Sequence, residues 1–199
     1  MRATLRTALV AATLTACSAT IMAQALRGTI DRVDGSVLSA HANDGIGLKL
    51  TLAENVVIVA IVKAGMADIK EGTFLGSAAL PQTDGSQKAL EVHIFPEQMR
   101  GAGEGHRPFA PVPNGTMTNG AVSTPVVTGV DGHTIVVRYR EGEQRIVIPP
   151  GVPIVRYELG GKDDLKAGAR FTVNAPVRKA DGTIEVPRIN VGRDGVVPQ

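Results

Sequence analysis

The chain has 199 residues, with 21 Lys and Arg against 19 Asp and Glu, 23 glycines, 12 prolines, four Phe, two Tyr, no Trp and one Cys. A single cysteine excludes an internal disulfide scaffold, and so many glycines and prolines among Val, Ile, Leu and Ala argue against a helical bundle and for short strands joined by turns. Length alone allows one or two domains.

The N-terminus reads Met1-Arg2-Ala3-Thr4-Leu5-Arg6, then an apolar run from about Ala8, then Ala23-Gln24-Ala25. A basic start, a short apolar segment and a small-x-small site form an export signal over residues 1–25. Thr13, Thr15, Cys17, Ser18 and Thr20 interrupt the run too often for a membrane-spanning helix. Leu14-Thr15-Ala16-Cys17 resembles a lipobox, which would make Cys17 a lipid anchor and leave a membrane-tethered lipoprotein as the alternative to a periplasmic product. Without Arg2 and Arg6 the chain carries 19 basic and 19 acidic residues, so the mature protein is formally neutral.

Residues 27–33 (RGTIDRV), 37–42 (VLSAHA) and 46–52 (IGLKLTL) alternate apolar and polar side chains, the period of a half-buried strand. Asp34-Gly35 and Asp44-Gly45 separate them, and Asp-Gly between alternating runs predicts hairpins. Residues 56–62 (VVIVAIV) are apolar on both faces and predict a buried segment, residues 64–70 (AGMADIK) a helical turn closed by Gly72, and residues 73–80 and 88–95 a final hairpin around Asp84-Gly85. Three strands, a helical turn and a closing hairpin are the order of a five-stranded OB-type barrel.

The pattern then returns. Val33-Asp34-Gly35 recurs 97 positions later as Val130-Asp131-Gly132, Asp68-Ile69-Lys70-Glu71-Gly72 as Asp164-Leu165-Lys166-Ala167-Gly168, and Asp84-Gly85 as Asp181-Gly182. A repeat of this kind fixes the architecture before any single element does. The second copy predicts strands over 121–130, 134–139, 144–148, 169–177 and 183–191, with the rigid Pro149-Pro150-Gly151-Val152-Pro153 between its third strand and its turn at 161–166. The expected fold is all-β: two tandem OB-like five-stranded barrels, each with a short helical turn, over 26–95 and 120–199. A Gly/Pro-rich loop, residues 96–119, joins them and exceeds the usual length of structureless connections.

The motifs Gly28-Thr29-Ile30, Val33-Asp34-Gly35, Asp68-Ile69-Lys70, Gly72 and Asp84-Gly85, repeated at 130–182, resemble an exported bacterial domain family of unknown function, built of tandem OB-like β domains. Some chains of that appearance are labelled metal ABC transporter permeases. The sequence after residue 25 contradicts that label, because it holds no segment apolar enough to span a bilayer as a helix.

For chemistry, His93, Glu97, Met99, Glu104 and His106 fall within 14 residues at the end of the first copy, and imidazole, thioether and carboxylate together suit copper, zinc or nickel. Their spacing matches no fixed metal motif, and Asn190 stands where the second copy would repeat His93. Gly101-Ala102-Gly103-Glu104-Gly105 lacks the following helix that a phosphate cradle needs, since Pro108, Pro111 and Pro113 forbid it. A neutral chain with six aromatics, Phe74, Phe95, Phe109, Tyr139, Tyr157 and Phe171, excludes a basic stacking groove for nucleic acid. No Gly-x-Ser-x-Gly elbow occurs, and the chain after residue 25 has no cysteine nucleophile. The sequence thus predicts a non-enzymatic envelope module that binds a partner protein or small ligand through residues 96–119 and His93, with a transition-metal accessory protein as the alternative.

Overall fold

The computed structural model describes residues 25–124, 126–130 and 132–198. Residues 1–24 of the expected export segment, Cys17 among them, and Asp131 lie outside them. Fourteen strands occur among the described residues: β1 Leu26–Asp34, β2 Val37–Ala42, β3 Gly47–Lys63, β4 Phe74–Pro81, β5 Gln87–Ile94, β6 Gly105–Pro108, β7 Thr116–Val122, β8 Val127–Gly129, β9 Gly132–Tyr139, β10 Gly142–Ile148, β11 Ile154–Leu159, β12 Arg170–Val173, β13 Val177–Arg178 and β14 Ile184–Gly192. Among the described residues the only helical pieces are single 3₁₀ turns at Met66–Asp68, Glu97–Met99 and Lys162–Asp164. The all-β expectation holds. No helix of the described residues is long and apolar enough to cross a membrane.

The hydrogen bonds close two five-stranded rings. In the first, β1, β2 and β3 form an antiparallel meander, β12 pairs antiparallel with β1 and with β14, and β14 runs parallel to β3. In the second, β7, β9 and β10 form the meander, β4 pairs antiparallel with β7 and with β5, and β5 runs parallel to β10. Both rings share one order, first-second-third-fifth-fourth, with the parallel contact between third and fifth strands.

The closing hairpins are exchanged. The meander at 26–63 is completed by the hairpin at 170–192, and the meander at 116–148 by the hairpin at 74–94. The cores confirm the pairing, because burial of apolar surface drives it and each core draws on both halves. Ile30, Leu38 and Leu50 pack with Leu165, Phe171, Val186 and Ile189. Ile69, Leu75 and Val92 pack with Val122, Ile135, Val137 and Ile146. This corrects the expected division into 26–95 and 120–199, each closed on its own strands.

The exchange follows from β3, which runs for 17 residues and keeps Ile58, Val59, Ala60 and Ile61 buried in succession. Apolar side chains on both faces keep this strand inside packed structure beyond its first ring, and its far end pairs antiparallel with β11. The two segments correspond by the repeat, and Ile61 faces Tyr157 at the centre of the pairing. Each then meets a closing hairpin in parallel: Ile58 beside Ile189 of β14, and Ile154 beside Val92 of β5. The joint is therefore a local two-fold axis between the copies.

The predicted helical turns sit where expected. The Asp68 and Asp164 carboxylates each accept the amide of the glycine three residues earlier, Gly65 and Gly161, at 2.9 Å. Asp68 also pairs with Arg156, and Asp164 with the Arg193 guanidinium at 2.6 Å. These bonds hold both carboxyls below the usual range, with the backbone amide leading for Asp68 and Arg193 leading for Asp164. The Asp84-Gly85 and Asp181-Gly182 corners are structural as well, each aspartate accepting the amide two residues on at 2.9 Å.

The connection at 96–119 is more ordered than its composition implies. β6 pairs along the start of β7 from Gly105 opposite Asn119 to Pro108 opposite Thr116, and β7 itself begins at Thr116. Proline is compatible with this short edge strand because its missing amide faces away from the ladder.

Candidate functional site

Four strands bring one row of residues together. His93 on β5 lies opposite Gly76 on β4, Gly76 opposite Asn119 on β7, and Asn119 opposite Gly105 on β6. Because neighbours on a strand point to opposite faces, His93 and Asn119 lie on the outside of the second ring, while Val92 and Leu75 fill its core. Gly76 lets the two side chains cross over β4: a Cβ there would stand 2.2 Å from His93 Nε2 and 2.6 Å from Asn119 Oδ1. A glycine in a strand interior commonly marks such a close approach.

The His93 ring stacks on Tyr157 of β11, with centroids 5.3 Å apart and planes at 8°, and meets Phe95 edge-on at 5.2 Å. Both packed aromatics fix the imidazole. Its Nδ1 and the Asn119 Oδ1 are buried and have no hydrogen-bond partner, whereas the Asn119 amide nitrogen donates to the Ala102 carbonyl at 3.0 Å. Buried polar atoms are nearly always paired, so these two orphans single the wall out; the remaining such atom among the described residues, Asn190 Oδ1, sits at the equivalent place in the first ring.

That wall belongs to a cleft of about 760 Å³ whose sides come from both rings. Phe95, Phe109, Tyr157 and Leu90 supply apolar surface; His93, Asn119, Glu91, Arg107 and Arg27 supply polar groups. The volume lies in the range of ligand pockets, as does the mixture of aromatic walls and few polar groups. The corresponding face of the first ring is closed. There Asn190 and Thr172 replace His93 and Gly76, the Thr172 hydroxyl donates to the Pro198 carbonyl at 3.1 Å, and Gly192 leaves room for the tail at Val196. Each ring has such a face, and the C-terminal tail lies against one of them.

Burial also sets the charge in the cleft. It pushes the Glu91 carboxyl up to about 7 and, with the nearby Arg107 cation assisting, the His93 imidazole down to about 4. Nδ1 of His93 and the Glu91 carboxylate oxygen are 3.9 Å apart, beyond hydrogen-bond reach. Both groups are therefore neutral near pH 6. The two linkages have opposite sign. Folded Glu91 retains a proton between its ordinary 4.5 and 7, so its contribution to stability declines as pH rises through that window; His93 loses its proton early, so its contribution grows between 4 and its ordinary 6.5. In the wild type the slopes cancel from about pH 4.5 to 6.5. Denaturant titrations should show His93→Asn losing stability as pH rises across this window and Glu91→Gln gaining it, each on the order of 2 kcal/mol. Flat profiles for both variants would show that neither group is held neutral.

The five residues expected to hold a metal are not brought together. Glu97 pairs with Arg100 at 2.5 Å, and that arginine lies over the Phe74 ring. His106 bonds through Nδ1 to the Thr118 hydroxyl at 2.8 Å. Thr118 and Asn119 are neighbours on β7, so His106 and His93 lie against opposite faces of that strand. Glu104 is exposed and Met99 half-buried. Among the described residues no three His, Cys, Asp or Glu side chains gather. Only His93 of the five belongs to the cleft. Gly76, Glu91, Asn119 and Tyr157 went unrecognised, although a glycine inside the apolar 74–81 strand was a usable signal.

Comparison with family models, with curated proteins and with solved structures finds no match to the chain.

Proposed function

We propose that the chain is a non-enzymatic binding module of the cell envelope whose ligand seats in the cleft between the two rings. Each ring is read as an OB-type barrel, supported by the shared strand order and the parallel contact of third and fifth strands. The export reading rests on Arg2, Arg6, the apolar run and Ala23-Gln24-Ala25.

The observation that carries the proposal is the pair of unpartnered buried atoms, His93 Nδ1 and Asn119 Oδ1, on the wall of a cleft that the other copy fills with its own tail. A ligand in the cleft would lie against the two side chains that carry these atoms, since His93 and Asn119 both line it. Among the described residues that line the cleft there is no serine, threonine, cysteine or lysine.

The test is a titration of isotope-labelled protein with N-phenyl-1-naphthylamine, an uncharged probe of suitable size. Resonances of His93, Asn119 and Tyr157 should shift together and saturate. Saturable shifts centred elsewhere, or none, would overturn the proposal.

A further inference from the structure

We infer that the cleft selects an amphipathic anion: an apolar or aromatic body carrying one carboxylate or similar acidic group, held by Arg27 and Arg107. The inference rests on the reading of the cleft as a ligand site and adds the charge and shape of what it takes.

The two arginines reach the cleft from different sides, Arg27 from β1 of the first ring and Arg107 from β6, which pairs along β7 of the second. Neither has a carboxylate within ion-pair distance among the described residues, where Arg100, Arg138, Arg145, Arg156 and Arg193 all do. Arg107 donates from one terminal nitrogen to the Gly103 carbonyl at 2.6 Å, which leaves most of its five donors uncommitted. A guanidinium presents a planar fork that matches a carboxylate, and it is weakly hydrated enough to work beside an apolar wall.

Among the described residues the only carboxyl lining the cleft is Glu91, and burial pushes it up to about 7. His93 is uncharged at the same pH. Among the described residues the cleft thus carries two cations without an ion-pair partner and no charged carboxylate over the slightly acid range, and an anion is what its charges lack. The body of the ligand is set by Phe95, Phe109, Tyr157 and Leu90, which offer ring faces and aliphatic surface. A cation would meet two like charges, and a highly polar anion would leave these aromatic walls wet.

The experiment uses 1-anilinonaphthalene-8-sulfonate as the anionic probe and N-phenyl-1-naphthylamine as its uncharged counterpart, both read by fluorescence at pH 6.5. Arg107→Gln and Arg27→Gln should each weaken the sulfonate about tenfold while leaving the uncharged probe unmoved, as expected for loss of a charge-assisted contact. Octanoate should displace the sulfonate and octylamine should not, which separates carboxylate recognition from general apolar binding. Equal loss of both probes, no loss of either, or displacement by octylamine would overturn the charge inference while leaving the cleft as a site. Failure of the wild type to bind either probe would remove the cleft reading itself.

Discussion

A chain ending at residue 99 is expected to give no folded monomer. Such a fragment contains the β1–β3 meander without the β12 and β14 strands that close it, and the β4–β5 hairpin without the β7, β9 and β10 meander that receives it. Its apolar faces, Ile30, Leu38 and Leu50 on one side and Leu75 and Val92 on the other, lose the partners that bury them. Removing whole strands from a core costs far more than the roughly 5–15 kcal/mol that holds a domain together. The fragment should be unfolded by circular dichroism, or assemble as a dimer in which two copies trade hairpins. Addition of a fragment covering 100–199 should restore β structure with one-to-one stoichiometry. A cooperative, monomeric transition for the first fragment alone would mean that its strands close on themselves.

Gly76→Ala should cost about 1–3 kcal/mol and lower probe affinity at least about tenfold. The new methyl would stand 2.2 Å from His93 Nε2 and 2.6 Å from Asn119 Oδ1, well inside contact distance. The imidazole cannot simply swing aside, because Tyr157 stacks on one face and Phe95 abuts it edge-on. The second copy shows how the conflict is avoided: Thr172 occupies the place of Gly76 where the shorter Asn190 occupies that of His93. The double variant Gly76→Ala with His93→Asn should accordingly be more stable than Gly76→Ala alone, a coupling that chemical denaturation of the four proteins measures. Strict additivity would show that the glycine and the imidazole do not constrain each other.

The turns were legible because they are local. Asp84-Gly85 and Asp181-Gly182 dictate their corners through a carboxylate that bonds its own backbone two residues on, and Gly85 and Gly182 take positive φ angles of 80° and 83°. The exchange was not legible, because the apolar residues of 73–80 and 183–191 state only that each strand is buried on at least one face. The two hairpins read alike in sequence, so neither names the meander it closes. The physical clue was the doubly apolar 56–62 stretch. It proved continuous with the preceding strand, and so carries the chain out of its first ring instead of turning back within it.

The site was legible only at His93. Glycine and proline drew attention to residues 96–119, but there Glu97 is spent on Arg100 and His106 on Thr118. The partners of His93 come from β4, β7 and β11, as far as 64 positions away at Tyr157, and no spacing rule spans strands whose pairing is unknown.

The exchange itself is tested most directly by cysteine pairing in the full chain with Cys17→Ser. Thr29 and Arg170 are cross-strand partners on β1 and β12, within the reach of a disulfide. Phe74, which precedes Leu75 as Arg170 precedes Phe171, would be the partner of Thr29 if the first copy closed on itself. Thr29→Cys with Arg170→Cys should oxidise to an intramolecular disulfide in the monomer, and Thr29→Cys with Phe74→Cys should remain reduced. A 29–74 disulfide in a folded monomer, with none between 29 and 170, would contradict the account.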